Sequence, residues 1–297
     1  MAGSGGFKDF IQLIKPSLSI LVVFSALISY LLVPGVLYDV WHIFLLFVGG
    51  MLVTGSANAI NMVIEKDTDA QMKRTAKRPV AAGKITEEQG WGFAILTGVS
   101  GVFILGYFFN WTAASIAAFS LFLYAFIYTP LKKVNSIAVL VGAVPGALPC
   151  LIGWVAGFVP GQSIDWTGGA ILFGLQFVWQ FPHFWAIAWI AHKDYSAVGF
   201  KLLPSDKGPT KFTALQTVIY TLLLLPITVA PFLTGLCSLQ GLRGYIGLAL
   251  VIASNLFMIM RSVNLYQRMD VASARKVMFG SYLYLGVVLL ALLLAKA

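Results

Sequence analysis

The chain has 297 residues, of which 59% are hydrophobic and only 10% charged, whereas an ordinary soluble domain carries about a quarter charged residues. So little charge cannot clothe a water-exposed surface, which excludes a soluble globular enzyme. The formal charge of +9 would suit nucleic acid, but the basic residues fall where membrane proteins collect them, between apolar segments.

Apolar runs long enough to cross a hydrocarbon core as helix, about 20 residues each, occupy 17–35, 41–63, 90–109, 112–130, 136–157, 168–191, 213–235, 240–260 and 277–295. They predict an all-α integral membrane protein, a bundle of nine transmembrane helices, with residues 1–297 forming one transmembrane domain. Lys8 and Lys15 precede the first run, Lys66 to Lys84 follow the second, Lys132 and Lys133 the fourth, Lys193 to Lys211 the sixth, and Arg261 to Lys276 the eighth. The opposite side offers only Arg243 and Lys296, so the N-terminus is expected in the cytoplasm and the C-terminus outside. The first run begins close to Met1 without a small-residue cleavage site, which reads as neither signal nor transit peptide. A bacterial cytoplasmic (inner) membrane fits this pattern. Cys150 and Cys237 are far apart and lack metal-ligand spacing.

Two connections on the basic side are long, about 64–89 and 192–212, and carry most of the acidic residues; function is expected there. The second and sixth runs each lead into such a polar segment with a Gly and a Pro, a hint of two related halves. In the first, Asn61, Glu65 and Asp69 are four residues apart and share one helix face. Oxygen ligands so clustered suit a hard cation, and Mg²⁺ in particular is held by one or two carboxylates plus phosphate oxygens and water. Asp67 falls about 160° from Glu65 on a regular helix, so it joins the ligands only where the helix unwinds. The competing reading is a solvated helix end. Downstream lie Lys73, Arg74, Lys77 and Arg78, then Pro79. Carboxylates for a cation followed by guanidinium groups that grip phosphate make the two halves of a diphosphate site, with Arg74 and Arg78, again four apart, as the expected contacts. Topology alone also accounts for basic residues here.

The segment from Asn61 through Glu65, Asp67, Asp69, Arg74 and Arg78 to Pro79 resembles the first acidic motif of the intramembrane aromatic prenyltransferase superfamily, which usually has Asp where this chain has Glu65. The later run Pro182-His183-Phe184-Trp185, followed by Lys193-Asp194-Tyr195 and Leu203-Pro204, resembles the haem O synthase branch, the protohaem IX farnesyltransferases. Other branches carry two Asp residues four apart in this second motif, but the position four beyond Asp194 is Val198. Tyr128 and Lys132 match the superfamily's Tyr-x-x-x-Lys element, which lies against the diphosphate; Tyr128 also suits an aromatic belt. Gly142, Gly146, Pro149 and Gly153 match as packing and bending positions. Lys15 either faces the site or anchors at the headgroups.

What the resemblance implies is a Mg²⁺-dependent transfer of a farnesyl group from farnesyl diphosphate to a vinyl group of haem B, with addition of water, giving haem O. Asn61, Glu65, Asp67, Asp69 and Asp194 are the expected metal ligands. Arg74, Arg78, Tyr128, Lys132, Lys193 and Tyr195 are the expected substrate contacts. His183 lies roughly 12 Å inside its span; it is read either as a buried imidazole bonded across helices or to Gln180, or as a haem contact or base. Haem is then a substrate, and a haem-handling partner enzyme is implied. The alternatives are another aromatic acceptor, such as hydroxybenzoate or naphthoate, and, from another class, a transporter, which predicts ionisable groups near the bilayer midplane.

Overall fold

Most apolar runs begin just behind a side chain able to accept from the free N–H groups of a helix start. The computed structural model describes residues 5–36, 38–205 and 207–297, so residue 206 of the second long connection lies outside it. Its helices, in chain order, are Phe7–Ile14 (α1), Pro16–Leu32 (α2), Val40–Ile64 (α3), Lys66–Gln71 (α4), Glu87–Phe108 (α5), Trp111–Leu131 (α6), Ala138–Ala156 (α7), Trp166–Ile190 (α8), His192–Ala197 (α9), Lys211–Leu233 (α10), Gly241–Arg268 (α11) and Val271–Leu294 (α12). Asp39, Thr86, Asn110, Asp165, Thr210 and Asp270 cap α3, α5, α6, α8, α10 and α12 through their side-chain oxygens.

Eight helices are individually long and apolar enough to span a membrane, and α1 with α2 makes a ninth as a pair bent by 43°. The expected first span, 17–35, thus corresponds to α2, and α1 precedes it at an angle. Pro16 disfavours helical backbone in the residue before it, and Lys15 takes a left-handed conformation, φ 49°. The last two spans also run further than their apolar stretches, because Arg261, Arg268, Arg275 and Lys276 sit on helical turns that continue past the hydrocarbon-length core.

Helices α2, α3, α5, α6 and α7 close into one ring, each packed on the next, and α8, α10, α11 and α12 close into a second; α7–α8 and α12–α2 contacts join them. Both α3 and α8 pass into a short helix through one residue of nearly identical backbone, Glu65 at φ −93°, ψ 10° and Ala191 at φ −93°, ψ 13°, a structural counterpart of the rhyme between the two halves. Large apolar side chains such as Leu96, Phe103, Phe119, Leu242 and Leu283 point outward, the arrangement a lipid solvent favours.

At the end of the bundle away from the long connections, Lys296 Nζ donates to the carbonyls of Leu31 and Val33, each at 2.8 Å. These are acceptors left over at the end of α2, where the helix dipole is negative. Lys296→Met is expected to cost about 1–2 kcal/mol, read as a drop of a few degrees in the Tm of the detergent-solubilised protein. Lys296→Arg is expected to retain most of the stability.

Candidate active site

The hydrogen-bond ladder of α3 carries on through its break: Glu65 N donates to Asn61 O at 3.0 Å and Asp69 N to Glu65 O at 2.7 Å. The four-residue spacing is thus preserved from the end of α3 into α4, and Asn61, Glu65 and Asp69 all line one cavity at the polar end of the bundle. Lys15, Arg74, Arg78 and Lys132 line it too. The opposite charges are already paired. Lys132 Nζ donates to Glu65 Oε1 at 2.8 Å, and Arg78 Nη1 reaches both oxygens of Asp69, at 2.7 and 2.6 Å. Lys15 Nζ lies 3.5 Å from Asn61 Oδ1.

Asp69 is fully buried, and Glu65 and Lys132 are nearly so. Buried charges are costly unless paired, so these residues are held for a purpose that outweighs that cost. Burial pushes the Asp69 carboxyl above the usual carboxylate range, against the opposing pull of the Arg78 guanidinium. Among the described residues Asn61 Nδ2 is the one buried side-chain polar atom without a partner, a defect worth about 1–3 kcal/mol. The Asn61 amide oxygen and two carboxylates on one face fit a hard divalent cation that fills its remaining positions with phosphate oxygens and water, and the unpartnered Nδ2 donor suits one of those phosphate oxygens. No group of three Asp, Glu, His or Cys side chains able to hold a metal occurs among the described residues, so the four carboxylates expected as ligands are not brought together here.

Tyr128 and Tyr195 also line the cavity. Lys132 Nζ sits 4.6 Å from the Tyr128 ring centroid, so the four-residue spacing of the two places the ammonium over the ring. Arg74 Nη2 donates to the Tyr195 hydroxyl at 2.6 Å, joining the first long connection to the second across the mouth. Lys201 N donates to Lys132 O at 2.8 Å, tying the second connection to the end of α6.

Four expected site residues lie elsewhere. Asp67 is exposed on the outer side of α4, as its angle from Glu65 requires on a helix that stays regular. Asp194 and the exposed Lys193 do not line the cavity. Successive side chains on a helix point about 100° apart, so the turn of α9 that directs Tyr195 inward directs its neighbours away. The half-built second metal motif thus contributes a tyrosine instead of a carboxylate. His183 is buried between α8 and α12, its Nδ1 2.7 Å from Ser281 Oγ and its ring stacked on Trp179 with centroids 4.8 Å apart. Its cross-helix partner is Ser281 and not Gln180, which donates to the carbonyls of Ala143 and Gln176. Conversely, Lys15, Tyr124 and Phe200 line the site. Tyr124 stands four residues before Tyr128, a spacing that could have found it, whereas nothing in the sequence marks Phe200.

A second cavity lies within the first ring of helices, walled by apolar residues such as Val23, Leu46, Val53, Leu105 and Ile152. It shares Leu18 and Tyr124 with the polar cavity, so a charged chamber meets an apolar one at those two side chains. The pair suits an amphiphile with an anionic head and a long hydrocarbon tail.

A chamber lined by both charges at one end of a transmembrane bundle, next to an apolar chamber that shares Leu18 and Tyr124 with it, is the arrangement of a membrane protein that handles such amphiphiles. Residues 22–283 match the UbiA prenyltransferase family, and the chain belongs to that family, a multi-pass membrane prenyltransferase. It is 41% identical over 290 residues to the protoheme IX farnesyltransferase of Cytophaga hutchinsonii, covering 98% of each chain. With that of Flavobacterium psychrophilum it shares 38% over 296 residues, 98% of this chain and 95% of the relative. Among solved structures, a digeranylgeranylglyceryl phosphate synthase superposes with a TM-score of 0.77 at 20% identity over 97% of both chains. A UbiA homologue from Archaeoglobus fulgidus bound to GPP and Mg²⁺ superposes with a TM-score of 0.64 at 15% identity, over 96% of this chain and 99% of its own. Both share the fold.

Proposed function

We propose that this protein transfers the farnesyl group of farnesyl diphosphate to a vinyl group of haem B, with addition of water, to give haem O. It does so with Mg²⁺ in the bacterial cytoplasmic membrane, its N-terminus and polar cavity on the cytoplasmic side. Full-length relatives at 38–41% identity carry the farnesyltransferase name, and the placement of basic residues supports the orientation. The observation that carries the chemistry is the two ion pairs on buried carboxylates, Lys132–Glu65 and Arg78–Asp69, in a cavity next to an apolar chamber.

Asn61, Glu65 and Asp69 would hold the Mg²⁺, which neutralises charge building on the departing diphosphate. The chain's own part is an exchange of partners. On binding of the head group, Lys132 and Arg78 turn from carboxylates to phosphate oxygens, and the carboxylates are freed to act as ligands. Because the cations stand ready within the cavity, they stabilise the leaving group without reorganising solvent at the moment of reaction. The Tyr128 ring under Lys132 keeps that ammonium from wandering, while Arg74 holds Tyr195 at the mouth. The apolar chamber takes the farnesyl tail and excludes water from its reactive end. Haem is a substrate here, and neither haem B nor haem O is readily soluble in water, so a haem-handling partner in the membrane belongs to the proposal.

The test is the product. Purified protein given farnesyl diphosphate, Mg²⁺ and, in parallel, haem B, hydroxybenzoate or naphthoate is expected to yield a product only from haem, with the mass of haem B plus one farnesyl group and one hydroxyl. A prenylated hydroxybenzoate or naphthoate with haem untouched would reassign the acceptor. Chelation of divalent ions is expected to lower turnover by about 10²-fold or more, with Mg²⁺ restoring it; full activity after chelation would refute the metal site.

A further inference from the structure

Loss of diphosphate from an allylic chain leaves a cation spread over the carbons nearest the head group, and an aromatic face within about 6 Å stabilises such a charge without bonding to it. Five aromatic side chains line the polar cavity: Tyr124, Tyr128, Phe184, Tyr195 and Phe200. Three of these already face a protein cation. Lys132 Nζ lies 4.6 Å from the Tyr128 ring centroid and 5.8 Å from that of Phe200, and the Arg74 guanidinium lies 5.2 Å from that of Tyr195. Tyr124 and Phe184 carry no such cation. Of these two only Tyr124 also lines the apolar cavity, where with Leu18 it forms the throat between the chambers. A prenyl diphosphate with its head in one and its tail in the other places its allylic carbons at that throat.

The backbone explains how the ring comes to be there. Residues Leu123–Tyr128 form a π-helical turn within α6, an irregularity that widens the helix and recurs at functional sites. It brings Tyr124 and Tyr128 together on the cavity side with ring centroids 5.3 Å apart, while Thr129 Oγ1 donates to the Tyr124 carbonyl at 2.8 Å and secures the turn. The Tyr124 hydroxyl makes no hydrogen bond among the described residues.

We propose that Tyr124 is a catalytic residue whose ring face stabilises the allylic cation at the throat between the polar and apolar cavities. This rests on the farnesyl-transfer reading. In that reaction the C1–O bond of farnesyl diphosphate breaks with its electron pair leaving on the diphosphate. The vinyl π electrons of the acceptor then form the new bond to C1. The cation left on the acceptor side takes the oxygen of a water molecule, whose proton passes to solvent. Tyr124 forms no bond; it lowers the energy of the first step.

The experiment uses the full-length protein in detergent or nanodiscs with farnesyl diphosphate, Mg²⁺ and haem B. Tyr124→Phe keeps the ring and is expected to retain kcat within about threefold, whereas Tyr124→Leu is expected to lose about 30-fold in kcat at nearly unchanged KM for farnesyl diphosphate. A series of phenylalanines bearing one to three ring fluorines at position 124 separates this from packing. Each fluorine drains the ring face with little change of shape, so log kcat is expected to fall stepwise along the series. A flat series, or Tyr124→Leu at wild-type kcat, overturns the proposal, and the fluorinated series decides if the leucine variant does not fold. Wild-type protein that yields no farnesylated haem would instead refute the parent reading, an outcome visible before any variant is made.

Discussion

Asp69→Asn is expected to lower kcat by about 10³-fold or more, the scale of a lost charge that stabilises a transition state, while the protein stays folded. Asn has the shape of Asp but cannot balance Arg78 or hold a divalent cation by charge. Asp69 is fully buried and receives Arg78 Nη1 on both oxygens, so its neutral replacement removes a desolvated charge together with its partner's pairing. Two features limit the structural damage. Burial already works against the charged form of this carboxyl, and Arg78 is partly exposed, so it can turn to water. Steady-state kcat beside a thermal unfolding curve checks both statements. Near-normal turnover would remove Asp69 from the chemistry, and unfolding without it would make its role one of architecture.

The second large effect is expected far from any charge. A methyl group at Gly153 would lie 1.9 Å from the carbonyl oxygen of Ala26, so α7 presses directly on the backbone of α2. No rotamer relieves a clash with backbone, and the two helices would have to part. Gly153→Ala is therefore expected to cost about 3 kcal/mol or more, lowering the Tm by about 6–12 °C. Activity should fall with it, since α2 presents Leu18 at the throat and its first turn follows Lys15. Gly174→Ala is the control: nothing lies within 4 Å of a methyl group there, and it should be neutral or stabilising by up to about 1 kcal/mol. Equal melting temperatures for the two variants would contradict the close approach of α2 and α7.

How far these features could be read from the sequence differs residue by residue. The spans were legible because lipid imposes both a length and a composition on them. The shared face of Asn61, Glu65 and Asp69 was legible because the hydrogen-bond ladder continues through the break at Glu65, so helical spacing still applied. Lys132 over Tyr128 follows from the same four-residue rule. The bend at Lys15 lies just before the first apolar run, and hydropathy carries no sign of the helix α1 that precedes it. Asp194 does not line the cavity whereas Tyr195 does, because a motif names a neighbourhood of chain and the rotation of the short helix α9 decides which neighbour faces inward. The π turn in α6 leaves no composition signature, although the four-residue spacing from Tyr128 places Tyr124 on the same side of the helix. His183 shows the converse. Its depth in the span signalled a required partner, and that partner, Ser281, lies 98 positions away in sequence.

In the proposed reaction, cation and diphosphate would be held by the two sets of side chains that pair with each other in this structure, which would make the binding of one depend on the other. The direct measurement is titration of the purified protein with a non-hydrolysable farnesyl diphosphate analogue, with and without Mg²⁺, and of Mg²⁺ with and without the analogue. Each ligand is expected to tighten the other by the same factor, at least about tenfold, as linkage requires, and Asp69→Asn should abolish that coupling. Equal analogue affinity with and without Mg²⁺, in wild type and variant alike, would show that the acidic and basic side chains of this cavity do not form one binding site.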